Sequence, residues 1–308
     1  MTFAGRNSES ILDHINSVSS GPPRTRGQAS VADPFSRLDN AMKKGKIAII
    51  GFPYDGQSSY MKGAAKAPQM IREAFHSEST NKWSESGADL GSESVIFDAG
   101  NVDFATLDDP FARIHKAVTE LLYRDLRPIC LGGDHSITFP IMKAFSAKFS
   151  TLCVLQFDAH PDLYDELRGN RDSHASPFAR IMEEGLVERL VQVGIRTVNA
   201  HQRQQGERFG VEAIEMKDWR DDITLEFDAP LYISFDIDAL DPAFAPGVSH
   251  YEPGGLSTRQ AVQAIQSIRA PAIVGADVVE FNPERDPCGI TAMACAKIMK
   301  EIAAKMLD

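Results

Sequence analysis

The way the apolar runs of this chain end limits its possible folds more than any other feature. Leu152-Cys153-Val154-Leu155-Gln156-Phe157 is short and bulky, and leads straight into Asp158-Ala159-His160-Pro161-Asp162. Such a run reads as a buried strand of a parallel sheet, which is covered on both faces and so lacks alternation. In an extended chain residues i, i+2 and i+4 point one way, so Asp158, His160 and Asp162 are expected to project together. Leu231-Tyr232-Ile233-Ser234-Phe235 repeats the grammar and ends in Asp236-Ile237-Asp238, and Pro128-Ile129-Cys130-Leu131 runs into Gly132-Gly133-Asp134-His135-Ser136. Ligand sites of open α/β sheets lie outside the carboxyl ends of the strands. These three ends would therefore deliver His135, Asp158, His160, Asp162, Asp236 and Asp238 to one crevice. Groups crowded in this way repel and shift one another's pKa values unless a cation sits among them. Four carboxylates carry four negative charges, which two divalent ions would balance. Asp134 and Asp241, next to these groups, are expected in turn or supporting roles.

The rest of the chain alternates strand and helix signals. Strands are expected over 46–52, 95–98, 190–195, 211–216 and 272–279, the last ending at Glu280. Helices are expected over 67–75, opened by Pro68, over 110–123 with Phe111, Ile114, Val118, Leu121 and Leu122 on one face, and over 139–149. Further helices follow at 177–184, 200–209, after an N-cap at Ser257, and at 290–307. The alternation continues with no linker after residue 45, which predicts an N-terminal arm over 1–45 and a single α/β domain over 46–308. The arm is rich in Ser, Gly and Pro and reads as flexible or docking.

With 308 residues, 43% hydrophobic and 24% charged, the chain has ample material for a core. Its net charge of −11 argues against nucleic acid or an anionic membrane as partner and is compatible with a cationic substrate. No apolar stretch approaches the ~20 residues that span a bilayer. The four cysteines lack metal-type spacing, and Cys130 and Cys153 lie inside apolar strands, so free buried thiols in a reducing compartment are expected. Cytoplasmic residence follows, or an organellar matrix if the arm is a transit peptide carrying Arg6, Arg24 and Arg26.

Three signatures now stand in order: Gly-Gly-Asp-His-Ser at 132–136, Asp-Ala-His-Pro-Asp at 158–162 and Ser-Phe-Asp-Ile-Asp-Ala-Leu-Asp-Pro at 234–242. Together they resemble those of the ureohydrolases, the arginase and agmatinase family, from about residue 46 to the C-terminus. Gly-Val-Ser-His-Tyr-Glu-Pro-Gly-Gly-Leu at 247–256 and Val-Val-Glu-Phe-Asn-Pro at 278–283 are similar to plant-type arginases. Ser-His-Ala-Ser-Pro-Phe at 173–178 resembles a loop shared with agmatinases. The resemblance implies a three-layer α/β/α fold with a central, mainly parallel sheet, a homotrimer or homohexamer, and two Mn²⁺ ions per subunit on the six groups named above. An oxygen-rich set with two imidazoles and no thiolate suits Mn²⁺, and also tolerates Fe, Co, Ni or Zn. The implied reaction is hydrolysis of a guanidino C–N bond to urea and an amine, begun by a water made acidic between two metals. By its place in the loop motif His174 resembles the proton shuttle, and Glu280 the acid that grips the guanidinium.

The implied substrate is L-arginine, giving ornithine, with agmatine or another guanidino compound as the alternative. Animal-type arginases place an Asn and an Asp against the α-carboxylate and α-amino group, where this chain has Tyr164 and Asn199. Asn170 and Ser173 are candidate polar contacts instead, and His250 is a candidate for the pocket lining. A non-enzyme reading, a silent scaffold subunit, would be marked by loss of a metal ligand, and all six are present.

Overall fold

The computed structural model describes residues 47–92, 94–105 and 109–308. The expected arm over 1–45 lies outside the described residues. Eight strands form one sheet: β1 (Ile47–Phe52), β2 (Ile96–Asn101), β3 (Arg127–Gly132), β4 (Cys153–Phe157), β5 (Arg189–Ile195), β6 (Glu212–Glu215), β7 (Leu231–Asp236) and β8 (Ile273–Val279). Their spatial order is β2-β1-β3-β8-β7-β4-β5-β6, and every pairing is parallel. The expected fold class is the observed one.

Two apolar layers follow from the pleat, because successive side chains of a strand face opposite ways. Ile47 and Ile49 of β1 join Leu155 and Ile233 beneath α1 (Ala67–Phe75), α6 (Thr258–Ser267) and α7 (Ile290–Leu307). Ala48 and Ile50 join Val154 and Tyr232 beneath α2 (Pro110–Tyr123), α3 (Thr138–Lys148) and α4 (Pro177–Glu183). The remaining helix, α5 (Ala200–Phe209), is tied to the sheet near β5 and β6. Helix starts are written locally. Asp109 caps α2 by accepting from the Ala112 amide at 3.0 Å, with Pro110 at the first turn. Ser257 and Gln260 form a reciprocal capping box on α6. No helix among the described residues is long and apolar enough to cross a membrane. All four cysteines are free, with Cys130, Cys153 and Cys295 buried and Cys288 exposed.

Two expectations change in detail. β2 extends to Asn101, because its pairing with β1 continues past a register shift between Ile49 and Gly51 that no local pattern announces. The extended-chain reason for the Asp158 cluster also fails past its first residue. β4 stops at Phe157, the chain then bends, and Asp162 is left-handed at φ 52°. Convergence there comes from the bend at Ala159 and His160 and the left-handed backbone of Asp162, not from strand alternation.

Candidate metal centre

β3, β8, β7 and β4 are consecutive neighbours in the middle of the sheet, and the candidate residues sit at their carboxyl ends. β3 leads to His135, β8 to Glu280, β7 to Asp236 and Asp238, and β4 to Asp158, His160 and Asp162. Glycine permits the crowding. A Cβ on Gly133 would stand 1.7 Å from the Tyr54 carbonyl oxygen, so only glycine lets β3 end against that segment. The Gly133 carbonyl then accepts from the Glu280 amide at 2.8 Å, which ties the end of β8 to the end of β3.

All six predicted ligands come together. His135 Nδ1 faces Asp162 Oδ2 at 3.0 Å, Asp158 Oδ2 at 3.2 Å and Asp236 Oδ2 at 3.3 Å. His160 Nδ1 faces Asp238 Oδ2 at 3.1 Å and Asp158 Oδ1 at 3.4 Å. Asp158 therefore belongs to both groups, one oxygen toward each imidazole. Five of the six are buried: His135 and Asp158 are 0% exposed and Asp162, the most open of the four carboxylates, is 6%, while His160 is half-buried.

A cation fits this arrangement on a specific observation. His135 Nδ1 is buried with no hydrogen-bond partner, although three carboxylate oxygens surround it. Its other nitrogen, Nε2, lies 2.9 Å from Ser234 Oγ, and Ser234 donates to Asp277 Oδ1 at 2.7 Å. That relay places the ring proton on Nε2 and turns the Nδ1 lone pair toward the acids. The carboxylates also favour a charged imidazole, and hold both His135 and His160 well above the ordinary histidine range against the opposing effect of burial. A proton on His135 Nδ1 would find no well-directed acceptor, whereas a metal ion needs only nearby lone pairs, so the geometry favours the ion. Burial and the Asp158 charge push Asp162 up to about 6, and burial with the Asp238 charge pushes Asp236 well up. Asp158 ends below its usual value, because both imidazoles outweigh its burial.

Beside the ligands stands a second group. Glu280, left-handed at φ 63°, accepts from the His135 amide at 2.8 Å and lies 2.9 Å from His174 Nδ1 through the same oxygen. Burial would raise the Glu280 carboxyl, but the His174 charge draws it down to about 2. Burial would lower His174, and the Glu280 charge raises it to about 9, so the pair stays ionised between those limits. His250 packs against this pair with its ring centre 5.0 Å from that of His174 and 6.0 Å from that of His160. Burial lowers its pKa.

The candidate substrate contacts gather less tightly. Asn199 caps α5 through the Gln202 amide and donates to Tyr164 Oη at 2.7 Å, so these two satisfy one another. Asn170 donates to Gln57 Oε1 at 2.8 Å. Ser173 is buried, and its hydroxyl accepts from the Ala175 amide. Asp134 and Asp241 take the expected turn roles. Asp134 accepts from the Ser136 and Gln57 amides, and Asp241 from those of Ala243, Gly254 and Gly255.

Sequence reasoning missed a supporting layer. Gln156 donates to Asp158 Oδ2 at 2.7 Å and is itself bonded by Gln192 at 2.6 Å. Asp277 gathers the hydroxyls of Thr138, Tyr232 and Ser234. Ser59 lies 2.9 Å from His174 Nε2. The usable signal for Gln156, Gln192 and Asp277 was a polar residue inside an otherwise apolar strand. Ser59, in a loop, carried none.

The family model described as the Arginase family matches residues 45–304. "Arginase 1, mitochondrial" of Arabidopsis thaliana is 42% identical over 98% of both chains, and its namesake from Oryza sativa subsp. indica is 45% identical over 96% of both. The solved arginase from Medicago truncatula superposes with a TM-score of 0.81 at 43% identity, over 88% of this chain and 90% of that one.

Proposed function

Since the chain belongs to the arginase family, we propose that it hydrolyses L-arginine to urea and ornithine. One observation carries the reading: an orphaned imidazole nitrogen, His135 Nδ1, ringed by carboxylates, with an ionised His174–Glu280 pair beside it. His135, Asp158, His160, Asp162, Asp236 and Asp238 would hold two divalent ions, and an oxygen-rich set with two imidazoles suits Mn²⁺. Bound there, the ions supply a water acidic enough to give hydroxide near neutral pH.

The chain's own residues do the rest. Glu280 presents a charge to the guanidinium through charge-assisted hydrogen bonds, which an ionised, buried carboxylate makes well. Water adds to the guanidinium carbon, the C–N bond to the side chain breaks, and urea leaves. The departing δ-nitrogen takes a proton from His174, whose Nδ1 shares one with Glu280 and whose Nε2 is held by Ser59. The candidate contacts for the α-substituents are Tyr164, Asn199, Asn170, Ser173 and His250, of which Tyr164 and Asn199 bond each other and Asn170 bonds Gln57. Relatives named arginase, matched end to end at 42–45% identity, favour arginine over agmatine.

The catalytic unit is 46–308, assembled as a homotrimer or homohexamer, which light scattering in solution measures. Both plant relatives are named mitochondrial, and that favours the matrix over the cytoplasm, with 1–45 as the targeting segment. A fluorescent fusion of 1–45 tests this.

The function itself is tested by urea release from Mn²⁺-loaded protein, with L-arginine and agmatine compared as kcat/KM. Arginine is expected to lead. Faster release from agmatine overturns the substrate, and urea from neither overturns the reading.

A further inference from the structure

Beyond the two-ion floor, the structure offers a third ligand set. His174, His250 and Glu280 each bring one donor atom into a cluster whose atoms all lie within 4.8 Å of one another. They come from three separate segments: the loop before α4, the Gly- and Pro-rich loop after β7, and the end of β8. His174 and Glu280 are 7% and 5% exposed, and His250 is half-buried at the mouth, with Tyr60 against its far side at 5.8 Å. We infer that these three residues form a separate, inhibitory site for Zn²⁺ that excludes the guanidinium substrate.

The donor set differs from the floor in kind. Two imidazoles and one carboxylate, with a fourth position left open, is the ligand pattern of mononuclear zinc sites. Nitrogen-rich sets prefer ions late in the first transition row, whereas the carboxylate-rich floor suits Mn²⁺. The third set therefore favours Zn²⁺ over Mn²⁺, and in protein already loaded with Mn²⁺ it is the set left open for a Zn²⁺ ion. Zn–N bonds of ~2.0–2.1 Å need the three donors to close in from their present spacing, and His250, half-buried on a loop, is the one of the three that is not fully enclosed. The ion takes the place of the proton between His174 Nδ1 and Glu280 Oε1.

The consequence for turnover rests on the proposed role of Glu280. That carboxylate holds one cation at a time, so Zn²⁺ and a guanidinium cannot share it. A His174 lone pair given to the metal also carries no proton to the leaving amine. Inhibition is thus competitive with substrate and reverses on chelation.

The test is Zn²⁺ titration of the Mn²⁺-loaded protein, with both metals counted per subunit after dialysis, alongside inhibition kinetics with L-arginine. The expected result is one Zn²⁺ taken up with the Mn²⁺ content unchanged, and an apparent KM that rises with Zn²⁺ at constant kcat. His250→Ala and His250→Asn should each weaken Zn²⁺ uptake by about tenfold or more while still holding Mn²⁺. Zn²⁺ that enters only by displacing Mn²⁺ one for one overturns the site, as does uptake that both variants leave unchanged. The two readings separate cleanly. A protein that takes up the extra Zn²⁺ through His250 but releases no urea from arginine sinks the arginase reading and leaves the site standing. Urea release that Zn²⁺ does not compete with sinks the inhibitory site and leaves the arginase reading intact.

Discussion

The floor of the active site and its rim are held in different ways. On the floor, the proposed ligands sit at the carboxyl ends of adjacent central strands, and three of them are braced by buried partners. His135 is braced by Ser234 and Asp277, Asp158 by Gln156 and Gln192, and Asp238 by the Ala159 amide at 3.1 Å. On the rim, Tyr164, Asn170 and Asn199 lie on loops and bond one another or Gln57. Moving a floor ligand means breaking buried hydrogen bonds inside the sheet, which leaves unpaired polar groups at ~1–3 kcal/mol each. Moving a rim residue exchanges one half-exposed partner for another, or for water. The reaction is thereby fixed by the sheet, and its selectivity is left adjustable in the loops.

The strongest way to break this contrast is at Asp158, the carboxylate that faces both imidazoles. Asp158→Ala removes an oxygen from the neighbourhood of each imidazole. It should empty the centre, with metal content near zero and urea release down by about 10³-fold or more. Retention of both ions would mean that Asp158 is not shared. Next in size, His174→Ala should lower kcat by ~10²–10⁴-fold while metal content stays at the wild-type level. An unchanged kcat would end the shuttle role, and lost metal would place His174 on the floor instead of beside it.

How much of this was legible follows the same division. The convergence of the six proposed ligands could be read because an acid or imidazole directly after an apolar run is conspicuous, and the sheet order then makes their strands neighbours. The braces were visible only by half. Gln156, Gln192, Ser234 and Asp277 stand out as polar residues in apolar strands, but their partners depend on register. Gln156 lies opposite Gln192, and Ser234 opposite Asp277, only because β4 pairs with β5 and β7 with β8. Local pattern does not contain that order. The loop contacts were not legible at all: Gln57 meets Asp134 across 77 positions, and Ser59 meets His174 across 115.

The braces give the intermediate effect. Asp277→Asn keeps the size of a side chain that three hydroxyls point into, and removes the charge that orders them. Ser234 then loses its acceptor of choice and His135 its fixed tautomer. Metal affinity should fall by about 10–100-fold, read as metal retained against a chelator. Ser234→Ala, which removes the hydroxyl between Asp277 and His135, should lower it by a similar factor, and Ser234→Thr, which keeps that hydroxyl, by less. A loss of thermal stability with metal affinity intact would make Asp277 a part of the core and no part of the site.

The smallest effect belongs to the rim. Tyr164→Phe deletes the hydroxyl that Asn199 bonds at 2.7 Å and leaves the ring stacked on His201, whose centre is 5.8 Å away. One half-exposed hydrogen bond is worth about 0.5–1.5 kcal/mol, and water can replace it here. KM for L-arginine should therefore move by a few-fold at most, with kcat and metal content unchanged. The informative quantity is the ratio of kcat/KM for arginine to that for agmatine. If it holds, Tyr164 and Asn199 only brace each other, and the α-substituents are read by Asn170, Ser173 or His250. If it shifts by about tenfold or more, the Tyr164 hydroxyl touches the substrate, since losing a built polar contact separates two ligands by that much, and the rim is then as tightly specified as the floor.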